Sequence, residues 1–368
     1  MIDFSFLFHE FFHHNIQLPN RIVMPPMTRS SSPNHIPTEQ VAEYYRRRAA
    51  HGVGLIITEG ACIDHPAANG HAGIPFMYGD AALTGWKKVV DAVHAEGTKI
   101  IPQLWHVGGV RAAGSESNPG IPAYSPSGLA APENRSGLTM SQRDIQEVIE
   151  SFTRAACNAK AVGFDGVELH GAHGYLIDQF FWPGTNRRDD EYGITFEGRT
   201  RFAKEIIQSI RRELGDDFLI VFRWSQWKMQ SLDASLVSTP NELNALLLPL
   251  VDAGVDIFHC STRRYWEPAF SGSDLTLAGW TKKLSGLPAI AVGSVGLQED
   301  ILGGGTGANT LTNDYVMGDL MQRLENEEFD LIAVGRALIA DPAWPEKIRA
   351  GNMASIKPFD RSHLMVLK

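Results

Sequence analysis

Eight short runs of β-branched and apolar residues recur along the chain, and helical patterns lie between them. The runs are Arg21–Met24, Leu55–Thr58, Lys99–Gln103, Gly166–His170, Phe218–Arg223, Val255–His259, Ala289–Gly293 and Asp330–Gly335. Most are unbroken rather than alternating, the pattern of parallel strands covered on both faces. The intervening helices carry their own signals. Ser141 is placed to cap a helix with the apolar face Ile145, Val148, Ile149, Phe152 and Ala156, and Gly163 sits where it would end. Thr239-Pro240-Asn241-Glu242 reads as a capping box with proline at the first helical position. Thr84 is expected to open a helix carrying Trp86, Val89, Val90 and Val93 and ended by Gly97. Strand and helix in eightfold alternation predict an α/β chain folded as a single (β/α)8 TIM barrel over residues 1–368. The competing fold, an open doubly wound sheet, usually carries GxGxxG after its first strand, and none follows Met24. Long loops are expected after strand three (Val107–Met140, rich in Gly, Pro and Ser) and after strand four (Gly171 to Phe196). Both lie at the C-terminal face, where barrels place their active sites.

Composition narrows the partners. The formal net charge of -9 argues against nucleic acid and anionic membranes, while Arg187-Arg188 and Arg263-Arg264 are local basic pairs suited to a phosphate-bearing small molecule or to a solvated face. Three cysteines, Cys62, Cys157 and Cys260, without CxxC spacing, exclude a disulfide framework, a cysteine-rich zinc site and an iron–sulfur cluster. The expected compartment is the reducing cytoplasm. Phe4, Phe6, Leu7, Phe8, Phe11 and Phe12 are interrupted by Asp3, Glu10 and His13, so no signal peptide is expected, and no apolar run reaches membrane-spanning length. A monomer or a homodimer fits equally.

The densest polar cluster is His170-Gly171-Ala172-His173-Gly174-Tyr175, at the end of the fourth run. An incidental turn and a zinc pair are alternatives to an acid and hydrogen-bonding site. The glycines oppose a helix presenting both imidazoles, and no third ligand stands nearby, so no metal is expected. Neighbouring strand ends supply Pro25, Pro26, Met27 and Thr28; Glu59, Gly60 and Ala61; Gln103 and Trp105; Arg223; Gly293 and Ser294; and Gly335 and Arg336. Flavin mononucleotide (FMN) needs such a set. An amide such as Gln103 matches its pyrimidine edge, an arginine stabilises charge near N1, and late glycine-rich turns suit its phosphate. Gly303-Gly304-Gly305-Thr306-Gly307 lacks the Lys-Ser/Thr ending of a P-loop and reads as a flexible turn.

Several blocks carry a family resemblance. Leu18 to Arg29 (LPNRIVMPPMTR), Ile57-Thr58-Glu59-Gly60, Gln103-Leu104-Trp105-His106, Glu168 to Phe180 (ELHGAHGYLIDQF), Asn186 to Gly193 (NRRDDEYG) and Val334-Gly335-Arg336 resemble the old yellow enzymes, and together they span nearly the whole chain. The block from Glu168 to Gly193 is the most specific. The resemblance implies FMN, NAD(P)H as hydride donor, and reduction of activated C=C bonds in α,β-unsaturated carbonyl and nitro compounds by ping-pong kinetics. It implies that His170 and His173 bind the substrate carbonyl oxygen and that Tyr175 is the proton donor. Thr28 would touch the flavin and tune it, making the chain similar to members with Thr and a His/His pair. Gln103 and Arg223 would hold the flavin ring, Gly293, Ser294, Gly335 and Arg336 the phosphate, and Gly60 or Ala61 would pack on the ring beside Pro25, Pro26 and Met27. Trp105, Trp227, Tyr265 and Trp266 are candidates for the substrate pocket. The alternatives are a flavin-dependent double-bond isomerase, a flavin-binding protein without reductase activity, and a metal-dependent hydrolase on the same barrel. The segment 303–326, the Phe- and His-rich start and the missing glycine pair after Gly193 depart from the family pattern.

Overall fold

The computed structural model describes residues 2–14, 16–115, 117–297 and 314–368. Eight parallel strands close into a barrel: β1 (Ile22–Met24), β2 (Leu55–Cys62), β3 (Lys99–Trp105), β4 (Gly166–His173), β5 (Leu219–Lys228), β6 (Ile257–Ser261), β7 (Ala289–Val292) and β8 (Leu331–Ala333). Neighbours in sequence are neighbours in the barrel, and β8 pairs with β1 through Ile332–Ile22 and Ala333–Val23. The helices α1 (Glu39–Ala50), α2 (Asp80–His94), α3 (Gln142–Val162), α5 (Phe196–Leu214), α6 (Pro240–Ala253), α7 (Leu277–Ser285) and α8 (Asp314–Glu325) follow the strands, and a short α4 (Leu176–Phe181) lies in the loop after β4. Gly303–Gly307 lies outside the described residues, and the last part of the unusual segment 303–326 is α8.

The expected helix signals operate, with two corrections. Ser141 and Asp144 form a reciprocal cap on α3, and Gly163 closes that helix at φ 105°. Thr239 caps α6 by accepting from Glu242 N–H, but the Glu242 carboxylate accepts from Ser238 N–H, one residue before the cap. Thr84 does not open α2. That helix begins at Asp80, after Gly79, and the Thr84 hydroxyl donates back to the Asp80 carbonyl at 2.7 Å. The strand ends also move: β2, β3, β4 and β5 run past their apolar stretches into Cys62, Trp105, His173 and Lys228, because barrel pairing continues into polar residues.

Two cores result. One fills the space between barrel and helices and holds Trp86, Phe152, Phe202, Phe222 and Trp344. The other plugs the barrel's lower half. There an antiparallel hairpin (Phe11–His13 with Ile16–Leu18) places Phe11, Ile16 and Leu18 against Val23, Leu55, Ile57, Ile101, Val221, Ile257, Ile290 and Leu331. Each such side chain contributes roughly 1.5–3 kcal/mol by leaving water. The floor is therefore sealed, and the opposite end is open. No described helix is long and apolar enough to cross a membrane.

Candidate active site

At the open end, β4 breaks register with β5 between Gly171 and His173. His173 takes φ 65° and Gly174 φ 81°. For a side-chain-bearing residue the left-handed region costs about 1–2 kcal/mol, and the hydrogen bonds around this turn offset that. His173 N–H donates to Ser225 Oγ at 3.0 Å and its carbonyl accepts from Met229 N–H at 3.2 Å. Gly174 N–H donates to Asp178 Oδ2 at 2.6 Å, and its carbonyl accepts from Gln179 Nε2 at 2.7 Å. Glycine is favoured at 174 by that positive φ, and a Cβ there would also have to displace the end of the Gln230 side chain, 2.1 Å away at Oε1.

The turn brings three side chains together. The rings of His170 and His173 stand 5.2 Å apart, edge to face, and Tyr175 lies 4.9 Å from both His170 and Trp105. These four, with Pro26, Thr28, Gln103 and Arg223, line a slot of ≈ 100 Å³. Pro26, His173 and Arg223 also line a second cavity of ≈ 330 Å³, which extends past Pro25, Met27 and Trp227 to Gly293, Ser294, Gly335 and Arg336. The Trp227 ring lies tilted against His173, centroids 4.5 Å apart, and donates its Nε1–H to the Ser261 carbonyl.

Burial, then the Arg223 guanidinium, then neighbouring cationic groups push His170 and His173 well below the usual imidazole range. Both are neutral at physiological pH, each with one N–H to donate. Burial raises the Tyr175 phenol above its ordinary value, so it stays protonated. Beneath them, Glu168 is fully buried and compensated: Gln103 Nε2 donates to it at 2.8 Å, His259 Nδ1 lies 2.6 Å away and Arg223 4.0 Å away. Ser261 Oγ sits between Arg223 (3.3 Å) and His173 Nε2 (2.7 Å).

The arrangement fits FMN. Arg223 Nε and His170 Nδ1 are buried without a protein partner, as expected of groups awaiting a ligand. Gly293 (φ 145°) could not carry a Cβ, which would lie 2.6 Å from Thr262 Oγ1, so the backbone there is bare. Arg336 donates to Ser294 Oγ at 3.0 Å and, with Arg263, supplies positive charge at the far end of the larger cavity. A flat heteroaromatic with an anionic tail matches the groups along this path. Among the described residues no group of three or more His, Cys, Asp or Glu gathers as a metal site.

Some expected residues stand elsewhere. Tyr265 is buried, donating its hydroxyl to the Val316 carbonyl at 2.6 Å, and Trp266 packs edge to face on it; neither lines the cavities, because both turn towards α8 and the helix layer. Ala61 faces the helix layer as well. Gly60 acts through Trp105, whose ring occupies the place of a Cβ, 2.6 Å from Cε3. Glu168, Ser261, His259, Asp178 and Lys228 escaped the sequence reading. A charged residue inside an apolar run, as in Val167-Glu168-Leu169, was the available signal, since a buried charge requires a partner.

Comparison with known proteins agrees with this geometry. Residues 7–354 match the profile of the NADH:flavin oxidoreductase / NADH oxidase family. The chain is 35% identical to an NADH oxidase of Thermoanaerobacter brockii over 377 residues, covering 97% of this chain and 52% of that protein. It is 32% identical to 12-oxophytodienoate reductase 7 of Oryza sativa subsp. japonica, covering 93% of this chain and 87% of the relative. Among solved structures, morphinone reductase in complex with tetrahydroNAD superimposes with a TM-score of 0.81 at 29% identity, over 97% of this chain and 93% of the other. The chain spans about half the length of two curated relatives that it matches along nearly its whole length, the NADH oxidase and a metal reductase of Desulforamulus reducens. The cofactors that accompany this fold and site are FMN and NAD(P)H. The closed parallel barrel is the fold shared with morphinone reductase, and the chain belongs to the NADH:flavin oxidoreductase / NADH oxidase family, the old yellow enzymes.

Proposed function

We propose that this protein is an ene-reductase that reduces the activated C=C bond of α,β-unsaturated carbonyl compounds, and of nitroalkenes, at the expense of NAD(P)H. The convergence of His170, His173 and Tyr175 on one slot carries this reading. FMN, when bound, supplies the hydride chemistry. Gln103 and Arg223 would hold its ring, Thr28 would contact it, and Gly293, Ser294, Gly335 and Arg336 would hold its phosphate. The chain's own groups do the rest. The two neutral imidazoles donate hydrogen bonds to the substrate carbonyl oxygen, where negative charge grows in the transition state. Tyr175, kept protonated by burial, gives its proton to the carbon next to the carbonyl. Trp105 and Trp227 form walls of the slot and the adjoining cavity and limit the shape of the substrate. Donor and acceptor would occupy one shared site in turn, where the slot and the adjoining cavity meet at Pro26, His173 and Arg223, and the kinetics would be ping-pong. Residues 1–368 act as one catalytic barrel, as a monomer or homodimer in the cytoplasm.

The test is the visible spectrum of the purified protein under argon. A yellow protein that bleaches with NADPH and recovers with 2-cyclohexenone, one NADPH consumed per enone, supports the reading. Conversion of the enone to a double-bond isomer with no net NADPH consumed would indicate an isomerase. A protein that stays colourless after adding FMN would overturn the assignment.

A further inference from the structure

Behind the substrate turn lies an ion pair that none of the chemistry above uses. Lys228 Nζ and Asp178 Oδ1 are 2.9 Å apart and both side chains are fully buried. The pair comes from opposite sides of the turn: Asp178 from α4, just after Tyr175, and Lys228 from the last residue of β5, in register with His173. Its remaining bonds go to the backbone that shapes the site. Asp178 Oδ2 takes the Gly174 N–H, and Lys228 Nζ donates to the carbonyl of Ser225, whose hydroxyl accepts from His173 N–H. The two left-handed residues are therefore gripped from both flanks.

Placing two charges out of water is unfavourable unless each is fully paired, and a buried pair of this kind is weak as a source of stability. Its geometry is better suited to fixing one backbone arrangement. Asp178 Oδ2 accepts from the Gly174 N–H, while Oδ1 lies 2.9 Å from the ammonium without an aligned hydrogen bond, so that side is held by charge; an asparagine offers one oxygen and an NH2 and supplies no such charge. We propose that Lys228 and Asp178 are positioning residues that hold the His173–Tyr175 turn in the geometry that binds the substrate carbonyl. The inference rests on the reading of that turn as the carbonyl site.

The experiment uses the FMN-loaded protein and 4-chlorophenol, whose phenolate mimics an enolate and gives a charge-transfer band when stacked on flavin. The variants are Asp178→Asn, Lys228→Met and the double variant. The expected result is FMN retention in all three. Phenol affinity should fall about tenfold or more in each single variant, the scale on which small misplacements act, and less in the double variant than the two losses multiplied. In the double variant the asparagine oxygen faces Gly174 N–H with no ammonium beside it. Single variants that bind 4-chlorophenol within about twofold of the parent, with the same band, overturn the proposal. If a single variant does not fold, the double variant, which buries no charge at this pair, decides: parental affinity overturns the proposal, and weakened affinity with an altered band supports it. A yellow parent protein that shows no band with 4-chlorophenol would sink the carbonyl-site reading instead, a different outcome from equal binding by parent and variants.

Discussion

The floor and the mouth of the barrel are built from the same strands, often from neighbouring positions on one face. On β3, Ile101 belongs to the floor and Gln103 to the slot; on β5 the step is from Val221 to Arg223; on β6 it is from Ile257 to His259. Residues two apart on a strand share a face, so each pair crosses from dry packing to polar chemistry in one step of under 7 Å. Below the step, apolar side chains need only fill volume. Above it, polar groups answer to specific partners: Gln103 and His259 to Glu168, Arg223 to Ser261. Stability is concentrated at one end, and the other is free to hold neutral imidazoles and an unpartnered Arg223 Nε that no stable core would choose.

That division can be broken most severely from below. Ile101→Asp places an unpaired carboxylate in the floor and should cost more than about 4 kcal/mol, comparable to the whole stability of many domains. Loss of the cooperative melting transition is expected, and a wild-type melting temperature would show that the floor admits water. At the mouth, Tyr175→Phe should leave stability and flavin reduction by NADPH nearly intact. Re-oxidation by 2-cyclohexenone should slow by about 10²–10⁴-fold, the usual worth of a general acid, and stopped-flow absorbance separates the two halves. His170→Ala and His173→Ala should each weaken binding of an enolate-like phenolate by about 1.5–3 kcal/mol, the range for a hydrogen bond to a charged group. Titration of the flavin band reads that loss directly.

The smallest effect expected is on pH. Burial holds His106, His170, His173 and His259 below the ordinary value near 6.5, so the unfolded chain takes up protons before the folded one and stability falls as pH drops below about 6.5. Two carboxyls oppose this. Burial lifts Glu59 to about 7 and Asp178 to about 6, so the folded state gains protons first there and is favoured by acid. Burial also lowers His13 and His65, so six imidazoles against two carboxyls should leave a net fall of a few degrees in melting temperature between pH 7.5 and 5.5. A flat or rising profile would mean that the mouth is more hydrated than its burial suggests.

The same contrast decides what could be read from sequence. The floor was legible, because unbroken runs such as Leu55-Ile56-Ile57 announce strands buried on both faces. The first tier of the mouth was legible too, since His170, His173, Tyr175, Gln103 and Arg223 follow those runs directly. What supports them was not. Lys228 and Asp178 lie fifty residues apart in sequence, and only the pairing of β4 with β5 brings them together. Trp266 and Tyr265 misled for the opposite reason: aromatic residues after a strand end suit a pocket or a helix interface equally, and the contact with α8 decides.

The register break between Gly171 and His173 has an arithmetical side. In an unbroken strand, residues three apart point in opposite directions, so His170 and His173 would be on different faces. The left-handed backbone of His173, φ 65°, breaks that alternation, and both rings meet over one slot. The site thus depends on one backbone turn as well as on residue types. Straightening the strand at His173 without changing its length would keep both histidines in the chain and send them to opposite faces. Substitutions can adjust this pair by degrees, whereas loss of that one backbone turn undoes it at once.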